Sequence, residues 1–268
     1  MSRQSETLYS SPLVTVRDVV CTEGCGNGRH EEQCQAASLA FVRSGTFVRR
    51  DRMGRHVADA TRVVFFDPAE PYMVDHPVPG GDRSTVLLFG EATLREAGRD
   101  VRGDRVFARA TLAGNADIHL EHRRLLASAH RRDAVEVEET ALRLLQLTTS
   151  GADAPLHGAA ARRAATLAAE AQVLIAGSFT DRITLDGLAG SLGVSPFALC
   201  RAFRQATGGS VHQHLTSLRL ATALEQLPRY QARLTDLALD LGFSSHSHFT
   251  QAFRGYFGRA PSALLRGA

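Results

Sequence analysis

The last roughly 90 residues contain an internal duplication, and this repeat constrains the fold more than any other feature of the chain. Residues 188–195 (Leu-Ala-Gly-Ser-Leu-Gly-Val-Ser) align with residues 237–244 (Leu-Ala-Leu-Asp-Leu-Gly-Phe-Ser) at an offset of 49. Beyond this segment the offset becomes 50, so that residues 202–204 match residues 252–254 (Ala-Phe-Arg in both). One inserted residue in the second copy accounts for the change. The repeat predicts two copies of one small structural unit.

Each copy has the pattern of a helix, a glycine turn and a second helix. Gly193 and Gly242 lie where the chain must leave the first helix, usually at positive φ, which glycine adopts without steric cost. Ser195 followed by Pro196 predicts an N-cap and the first helical position, and Ser244-Ser245 takes the same place in the second copy. The pattern therefore predicts two helical hairpins, each with a defined corner.

Apolar residues of the second helices recur at a spacing that places them on one buried face. They are Leu199 and Phe203 in the first copy and Phe249, Phe253 and Phe257 in the second. This pattern is that of a helix-turn-helix, whose second helix enters a major groove of DNA. We expect reading helices at 196–206 and 245–257. A joining helix at 211–226 would span roughly 24 Å and set them about one DNA turn, roughly 34 Å, apart.

The C-terminal part, residues 165–266, resembles the AraC/XylS family of bacterial transcription regulators. The resemblance rests on these motifs: Leu-Gly-Val-Ser-Pro (192–196), Arg-Ala-Phe-Arg (201–204), Thr207-Gly208, Arg-Leu-Ala-Thr-Ala (219–223), Leu-Gly-Phe-Ser-Ser-His-Ser-His-Phe (241–249), Phe253-Arg254, Phe257-Gly258 and Pro261. It implies sequence-specific DNA binding by a tandem helix-turn-helix domain. It also implies an N-terminal sensing or dimerisation domain, often a small cupin-like β-barrel. Activation, with RNA polymerase as a partner, is the family tendency.

The resemblance assigns the outward residues of the two reading helices to DNA. These are Phe197, Cys200 and Arg201 for the first groove, and His246, Ser247, Thr250 and Gln251 for the second. Arginine bonds guanine in the commonest specific contact and glutamine can pair with adenine, so Arg201 and Gln251 carry most weight. Arg204 and Arg254 either contact phosphate or remain solvated. Cys200 departs from the polar residue usual in the family. It packs on a thymine methyl, makes no contact, or is a reactive thiol.

The charge is distributed unevenly along the chain, whose formal net charge is +3. Residues 155–268 carry 11 arginines against 6 acidic residues, and residues 1–154 carry 20 against 22. A basic C-terminal part favours a phosphate-binding module there. A difference of this size is also common on solvated surfaces, so the charge supports the DNA-binding prediction without carrying it.

The N-terminal part alternates short β-rich runs with turn residues. Residues 38–42 and 46–50 flank Ser44-Gly45, which predicts a hairpin, and further strands are predicted at 62–66 and 85–89. Strands at this spacing are typical of a small antiparallel barrel or sandwich. The fold class is therefore predicted as α+β, with a cupin-like β-barrel followed by helices and an all-α tandem helix-turn-helix domain.

The sequence becomes helical in period after Asn115. Helices are predicted at 118–131 and 133–148, and the second has an apolar stripe formed by Val137, Ala141, Leu144, Leu145 and Thr148. Either the β-domain or a second subunit covers this stripe; we favour the dimer interface, although core packing explains the same pattern, and we expect a homodimer. The predicted organisation of the 268 residues is a sensor domain at 1–114, a helical linker or dimerisation segment at 115–150, and a DNA-binding domain at 156–268 that opens with an Ala-rich helix at 157–176.

Four residues of the N-terminal part could hold a metal ion. Cys21, Cys25, His30 and Cys34 are a complete tetrahedral ligand set for Zn²⁺, and thiolates also suit Cu(I) and other soft metals. The alternatives are a reversible redox pair, either Cys21 with Cys25 or Cys25 with Cys34, and no special role at all.

An organic effector in an apolar β-pocket fits the family at least as well as a metal does. His56 and His76 are weaker candidates to line that pocket. The cupin metal pattern of His-x-His with a following Glu and a later His is absent, so no catalytic metal of that kind is expected.

Several classes of protein are disfavoured by what the sequence lacks. No window holds 18 consecutive apolar residues, which predicts no membrane span, and residues 1–12 lack an apolar signal core, which favours the cytoplasm. Four cysteines in a cytoplasmic chain make structural disulfides unexpected. No phosphate loop, nucleophile elbow or His-Glu-x2-His motif appears, so we expect a regulator and no enzyme.

One enzyme class remains as an alternative. It is a DNA-repair methyltransferase that joins a cysteine-zinc domain to an AraC-type domain. Cys21-x3-Cys25 is loosely similar to its first cysteine pair, but the later Cys-x2-Cys pair is absent from this chain.

Overall fold

The computed structural model describes residues 3–22, 31–68, 70–99, 105–150, 159–231 and 233–266. The chain divides into two compact units, Met1–Asp153 and Ala154–Ala268. Unit 1 combines antiparallel sheets with helices and unit 2 is helical, which confirms the predicted α+β class. No helix within the described ranges has both the length and the apolar character needed to cross a membrane.

In the described part of unit 1 there are two sheets, and every strand pairing in them is antiparallel. Its strands are β1 (Arg3–Ser10), β2 (Val14–Cys21), β3 (Glu32–Gln33), β4 (Ser38–Gly45), β5 (Phe47–Asp51), β6 (Gly54–Ala58), β7 (Arg62–Phe66), β8 (Pro71–Asp75), β9 (Asp82–Phe89) and β10 (Thr111–Ala113). The larger sheet has the order β1-β2-β9-β4-β7-β10 and the smaller has the order β3-β8-β5-β6. Its helices are α1 (Glu91–Glu96), α2 (Ala116–Arg131) and α3 (Ala134–Thr149).

Both faces of the larger sheet are covered, which explains the near-continuous apolar runs of its central strands. In β4, Leu39 and Phe41 enter one core, whereas Ala40 and Val42 point to the opposite face and enter another. The second core also contains Phe47, Ala58 and Tyr72 of the smaller sheet. The alternation of side chains along a strand thus supplies two cores from one sequence run.

The predicted hairpin across Ser44-Gly45 is wrong. Strand β4 pairs with β7 and β9, whereas β5 pairs with β6 and β8, so the chain passes from one sheet to the other at this point. Gly45 has φ 75°, and a β-carbon there would lie 1.9 Å from the carbonyl oxygen of Gly81. The sharp bend therefore requires glycine, because the chain passes so close to Gly81 there. The bend carries the chain from one sheet to the other and does not form a hairpin turn.

Helices α2 and α3 pack against the larger sheet within unit 1. The apolar stripe of α3 (Val137, Ala141, Leu144, Leu145 and Thr148) is at most 1% exposed. Its apolar members share one core with residues of β2, β4, β7 and β9. The dimer interface favoured for this stripe from the sequence is therefore wrong, because the β-domain covers the stripe. A dimer interface, if formed by these helices, must use other residues.

Unit 2 contains seven α-helices within the described residues. They are α4 (Ala159–Ser178), α5 (Leu185–Ser191), α6 (Pro196–Thr207), α7 (Val211–Gln226), α8 (Leu234–Asp240), α9 (His246–Phe257) and α10 (Pro261–Arg266). The predicted joining helix and both predicted reading helices are confirmed to within one residue at each end.

The corners of the two helical hairpins have the predicted geometry. Gly193 has φ 65° and Gly242 has φ 78°, so both lie in the left-handed region that glycine favours. The Ser195 hydroxyl accepts a hydrogen bond from the amide of Ala198 at 3.2 Å. The Ser245 hydroxyl accepts one from the amide of His248 at 3.1 Å. Each reading helix therefore begins at a serine N-cap and is fixed in direction by the preceding glycine.

Candidate functional site

The reading helices α6 and α9 each separate an apolar buried face from a polar exposed one. Leu199 and Phe203 of α6 are fully buried, and so are Phe249 and Phe253 of α9, while Phe257 is 4% exposed. The phenylalanines of α9 pack edge to face or tilted, with ring centroids 5.5 Å apart for Phe249 and Phe253. These contacts fix α6 and α9 within unit 2 and leave the opposite face of each helix exposed to solvent.

The residues predicted to meet DNA lie on the solvent face. Phe197 is 75% exposed, which is unusual for a phenylalanine that serves only packing. The remaining predicted contacts that are exposed are Cys200, Arg201, Arg204, His246, Ser247, Gln251 and Arg254, and Thr250 is half-buried. The structure therefore brings the seven predicted base-facing residues and the two flanking arginines onto the exposed sides of two helices.

Two side-chain contacts organise the exposed side of α9. The Thr250 hydroxyl lies 3.4 Å from Nε2 of His246 one turn earlier. The Ser244 hydroxyl lies 3.1 Å from Nδ1 of His248. Both imidazoles are thereby held at the N-terminal turn of the helix, the part that approaches base edges in helix-turn-helix proteins.

Arg219 of helix α7 joins the segment between α4 and α5 to the second hairpin. Its Nε donates to the carbonyl of Phe179 at 2.7 Å, and its Nη2 donates to the carbonyl of Asp181 at 2.9 Å. The same guanidinium lies over the ring of Phe243, 5.8 Å from the centroid. One side chain therefore links the segment after α4 to the corner of the second hairpin. The Arg-Leu-Ala-Thr-Ala motif had signalled this helix without indicating what its arginine contacts.

Unit 1 has a cavity of ≈ 70 Å³ with a largely apolar lining. The lining residues are Arg3, Val19, Cys21, Glu32, Ala40, Phe47, Phe66, Tyr72, Val74, His76, Asp82, Ser84 and Val86. A few polar groups in an otherwise apolar cavity are typical of a small-molecule site. Of the two histidines considered from sequence, His76 lines the cavity, whereas Nε2 of His56 lies 3.4 Å from Asp51 and His56 is not among the lining residues.

The polar lining falls into two groups. In one, Asp82 lies 2.8 Å from Nε2 of His76 and accepts a hydrogen bond from the Ser84 hydroxyl at 2.7 Å. In the other, the Tyr72 hydroxyl donates to Glu32 at 3.4 Å and Glu32 pairs with Arg3 at 3.3 Å. Burial, aided by the neighbouring Cys34, raises the pKa of Tyr72, so its hydroxyl stays protonated. The cavity thus offers both acidic and donor groups to an occupant.

The cysteines differ from the sequence-based expectation. Cys21 is disulfide-bonded, although structural disulfides were not expected, and Cys34 and Cys200 are free thiols. The sulfur of Cys34 lies 3.7 Å from the Tyr72 hydroxyl. Cys25 and His30 lie outside the described residues. The four-residue metal site at Cys21, Cys25, His30 and Cys34 therefore stays a prediction, with the redox pair of Cys21 and Cys25 as its alternative.

Comparison with known proteins finds a family match that lies in unit 2. The model of a helix-turn-helix domain family matches residues 188–267. The transcriptional activator AarP of Providencia stuartii is 30% identical over 97 residues, which cover 36% of this chain and 72% of AarP. The transcriptional activator RhaS of Escherichia coli O157:H7 is 34% identical over 89 residues, 33% of this chain and 32% of RhaS. The match thus spans about a third of RhaS.

Solved structures give weaker similarity. An AraC-type DNA-binding regulator from Chromobacterium violaceum is 28% identical with a TM-score of 0.36, covering 41% of this chain and 95% of that one. ToxT from Vibrio cholerae, solved with a bound unsaturated fatty acid, is 13% identical with a TM-score of 0.34, covering 94% of each chain.

The sequence match to AarP, the helix-turn-helix family match and the two capped reading helices agree with one another. AarP and RhaS are both named transcriptional activators. The chain belongs to the AraC family of DNA-binding transcription regulators.

Proposed function

We propose that the chain is a homodimeric regulator that recognises its operator through the exposed faces of α6 and α9 and responds to a signal bound in unit 1. The first part of this proposal rests on the division of each reading helix into an exposed face and a buried face. Every predicted base contact except Thr250 is exposed, whereas the residues that hold the helices in place are buried. Substitution at the exposed positions can therefore alter recognition without disturbing the fold.

Arg201 and Gln251 are the residues that we expect to contribute most to base recognition. A guanidinium that bonds both acceptors of guanine, or an amide that pairs with adenine, discriminates by about 1–3 kcal/mol against the wrong base. Arg204 and Arg254 lie in the last turns of the same helices and suit phosphate contacts. The bases and the phosphates are thus contacted from different turns of each helix.

Selection of bound sequences from a random DNA pool, followed by affinity measurements, tests this assignment. Arg201→Ala should weaken binding to the selected site by about 1–3 kcal/mol and relax the preference at one base pair. Gln251→Ala should do the same at a different base pair. Arg162→Ala is a matched control, because Arg162 is exposed on α4 and lies outside both reading helices. Equal loss on specific and non-specific DNA would reduce Arg201 to a phosphate contact and overturn its assignment.

The cavity of unit 1 supports the second part of the proposal. It combines apolar lining with the two polar groups around Asp82 and Tyr72, which suits a small effector with one polar end. Xenon, an apolar atom small enough for a cavity of ≈ 70 Å³, serves as a probe and its binding is followed by xenon NMR. It should bind saturably to the full chain, and Ala40→Phe should abolish that binding by filling the cavity.

Val135→Phe is the matched control for the xenon experiment, because it adds an aromatic ring at a position of unit 1 that is 76% exposed. Equal xenon binding in wild type and Ala40→Phe would show that the cavity is not the site of binding. Sedimentation of the full chain checks the homodimer separately, since a monomer at the concentrations used for DNA binding would contradict that part of the proposal.

A further inference from the structure

Three potential metal ligands meet in the cavity of unit 1, and they are a different set from the one suggested by the sequence. Cys21, His76 and Asp82 each offer a ligand atom, and these atoms all lie within 4.8 Å of one another. All three residues line the same cavity. In a tetrahedral Zn²⁺ site, ligand atoms lie roughly 3.3–3.8 Å apart, so small side-chain rotations bring this group to coordination distance.

The backbone brings these residues together from three separate elements. Cys21, the last residue of β2, is the register partner of Asp82, the first residue of β9. His76 follows β8, and the chain returns to β9 through Gly81. Gly81 has φ +68°, and a β-carbon there would lie 1.8 Å from the carbonyl oxygen of Cys21. This close approach, which only glycine permits, fixes the distance between the end of β2 and the start of β9.

The chemistry of the three groups suits a divalent, thiophilic cation. The side chains of His76 and Asp82 are 7% and 8% exposed. A thiolate and a carboxylate together balance a charge of +2, so the bound site would be neutral within this protected environment. The Ser84 hydroxyl donates to the second oxygen of Asp82 at 2.7 Å, which orients the carboxylate in the way that second-shell groups orient metal ligands.

We propose that Cys21, His76 and Asp82 form a Zn²⁺-type site that opens into the cavity and exists only when Cys21 is reduced. The disulfide at Cys21 removes its sulfur from the ligand set. A dithiol reductant would break the S–S bond by supplying two electrons, yielding two protein thiols and its own disulfide. The Cys21 thiol then loses its proton to solvent as the cation binds. The fourth coordination position faces the cavity and takes water or a donor atom of an effector.

This inference deepens the proposed signal-sensing role by naming the ligand class and a redox condition for binding. The proposed site shares only Cys21 with the four-residue set predicted from the sequence. Both sets contain Cys21, but only the cavity site needs His76 and Asp82, and only the earlier set needs His30 and Cys34. Variants at these positions therefore separate the two sites.

Cobalt and zinc titrations of the full chain test the site directly. The protein is reduced with a phosphine, which does not compete as a thiol ligand, and is then compared with untreated protein. We expect one Co²⁺ per reduced chain, with thiolate-to-cobalt absorption, and displacement by Zn²⁺. The oxidised chain should bind at least about 10-fold more weakly, since loss of even an outer-shell partner costs about 10–100-fold. Equal binding in the two states, or no thiolate absorption in the reduced chain, overturns the proposal.

Substitutions identify the ligands. His76→Gln and Asp82→Asn should each weaken binding by at least about 10-fold, and Asp82→Asn retains an acceptor for the Ser84 hydroxyl. Cys34→Ser and His30→Gln are the matched controls and should bind as wild type. If these controls lose the metal while His76→Gln and Asp82→Asn retain it, the cavity site is wrong and the earlier set is right. Circular dichroism of each variant checks that it is folded.

A separate measurement distinguishes failure of the site from failure of the sensing role. Operator affinity of the reduced chain is compared with and without Zn²⁺. A change in affinity that disappears in Asp82→Asn links this site to DNA binding. Metal binding without any change in affinity leaves the site established and contradicts its use as a signal.

Discussion

Gly242 lies against Arg219 so closely that a β-carbon at position 242 would be 2.7 Å from Nη2 of the guanidinium. The same β-carbon would be 2.4 Å from the carbonyl oxygen of Thr180. The corner of the second helix-turn-helix is therefore closed by three parts of unit 2 at once: the residues after α4, the middle of α7 and the turn before α9. The first corner has no equivalent constraint from the described residues, since none of them has an atom within 4 Å of a β-carbon built at Gly193.

Gly242→Ala should destabilise unit 2 more than Gly193→Ala does, although both glycines have positive φ. The backbone cost of alanine in this region is about 1–2 kcal/mol at either site. At Gly242 the clash with a backbone carbonyl adds to that cost, for a total of about 3 kcal/mol. Urea unfolding, with hydrogen exchange to localise the effect to unit 2, measures the difference. Equal losses would contradict the described packing of Arg219.

Phe253→Ala should unfold or strongly destabilise the second helix-turn-helix. Phe253 is fully buried between Phe249 and Phe257, and removing such a ring from a core costs about 3–5 kcal/mol. Phe197→Ala is the matched control, since its ring is 75% exposed and should leave stability unchanged while weakening DNA binding. An unchanged melting temperature for Phe253→Ala would show that Phe253 is not a core residue.

Stability of unit 1 should fall in mild acid. Burial lowers the pKa of His122 to about 3 and that of His119 to about 4, from an ordinary value of 6.5. As pH falls, the unfolded chain takes up these protons first, so stability is complete above pH 6.5 and decreases below it towards the folded pKa values. The loss at pH 5 should be of the order of 1–2 kcal/mol for each histidine.

His122→Phe should reduce this acid sensitivity, because phenylalanine keeps a ring beside Phe41, on which His122 stacks at 4.8 Å. His212→Phe, at an exposed position of α7, is the control and should leave the pH dependence unchanged. Urea unfolding between pH 7 and pH 4.5 gives the comparison. A dependence on pH equally steep in His122→Phe would assign the acid loss to other groups.

Arg254→Ala should weaken binding to all DNA sequences about equally. It should also lower the number of counterions released on binding by about one, which makes the affinity less dependent on salt. A phosphate contact contributes about 0.9 to the slope of log affinity against log salt concentration. Arg254 is exposed in the last turn of α9, which suits such a contact. Titration of operator and random DNA at several salt concentrations measures both effects. An unchanged slope would show that Arg254 is merely solvated.

The DNA-binding part was predictable in detail because its signals are local. Gly193, Ser195 and Pro196 specify a corner and a cap within four residues, and the repeat gives the same information a second time around Gly242. Helix periodicity then separates buried from exposed positions without any knowledge of distant contacts. The buried residues Leu199, Phe203, Phe249, Phe253 and Phe257 were all assigned correctly for this reason.

The N-terminal part was less predictable because its contacts join distant segments. Residues 38–50 have the pattern of a hairpin, but the pattern does not reveal that β4 pairs with β9, some 40 residues away. The pairing of Cys21 with Asp82 is a contact of the same kind. From the sequence alone, His76 is only a weak candidate to line the pocket. To place all three residues together from the sequence, one would have to know that β2 pairs with β9.

The residues of α6 and α9 that pack in the core are different from those that face solvent, and this has a consequence for how the sequence of the protein can diverge. Mutations at Phe197, Arg201, His246 or Gln251 change a surface that the rest of unit 2 does not rely on for stability. Under the proposed assignment of these residues to DNA, a lineage or a laboratory library can explore new operators at these positions with little risk of losing the folded protein. Substitutions on one reading helix would then change one part of the operator and leave the other part recognised as before.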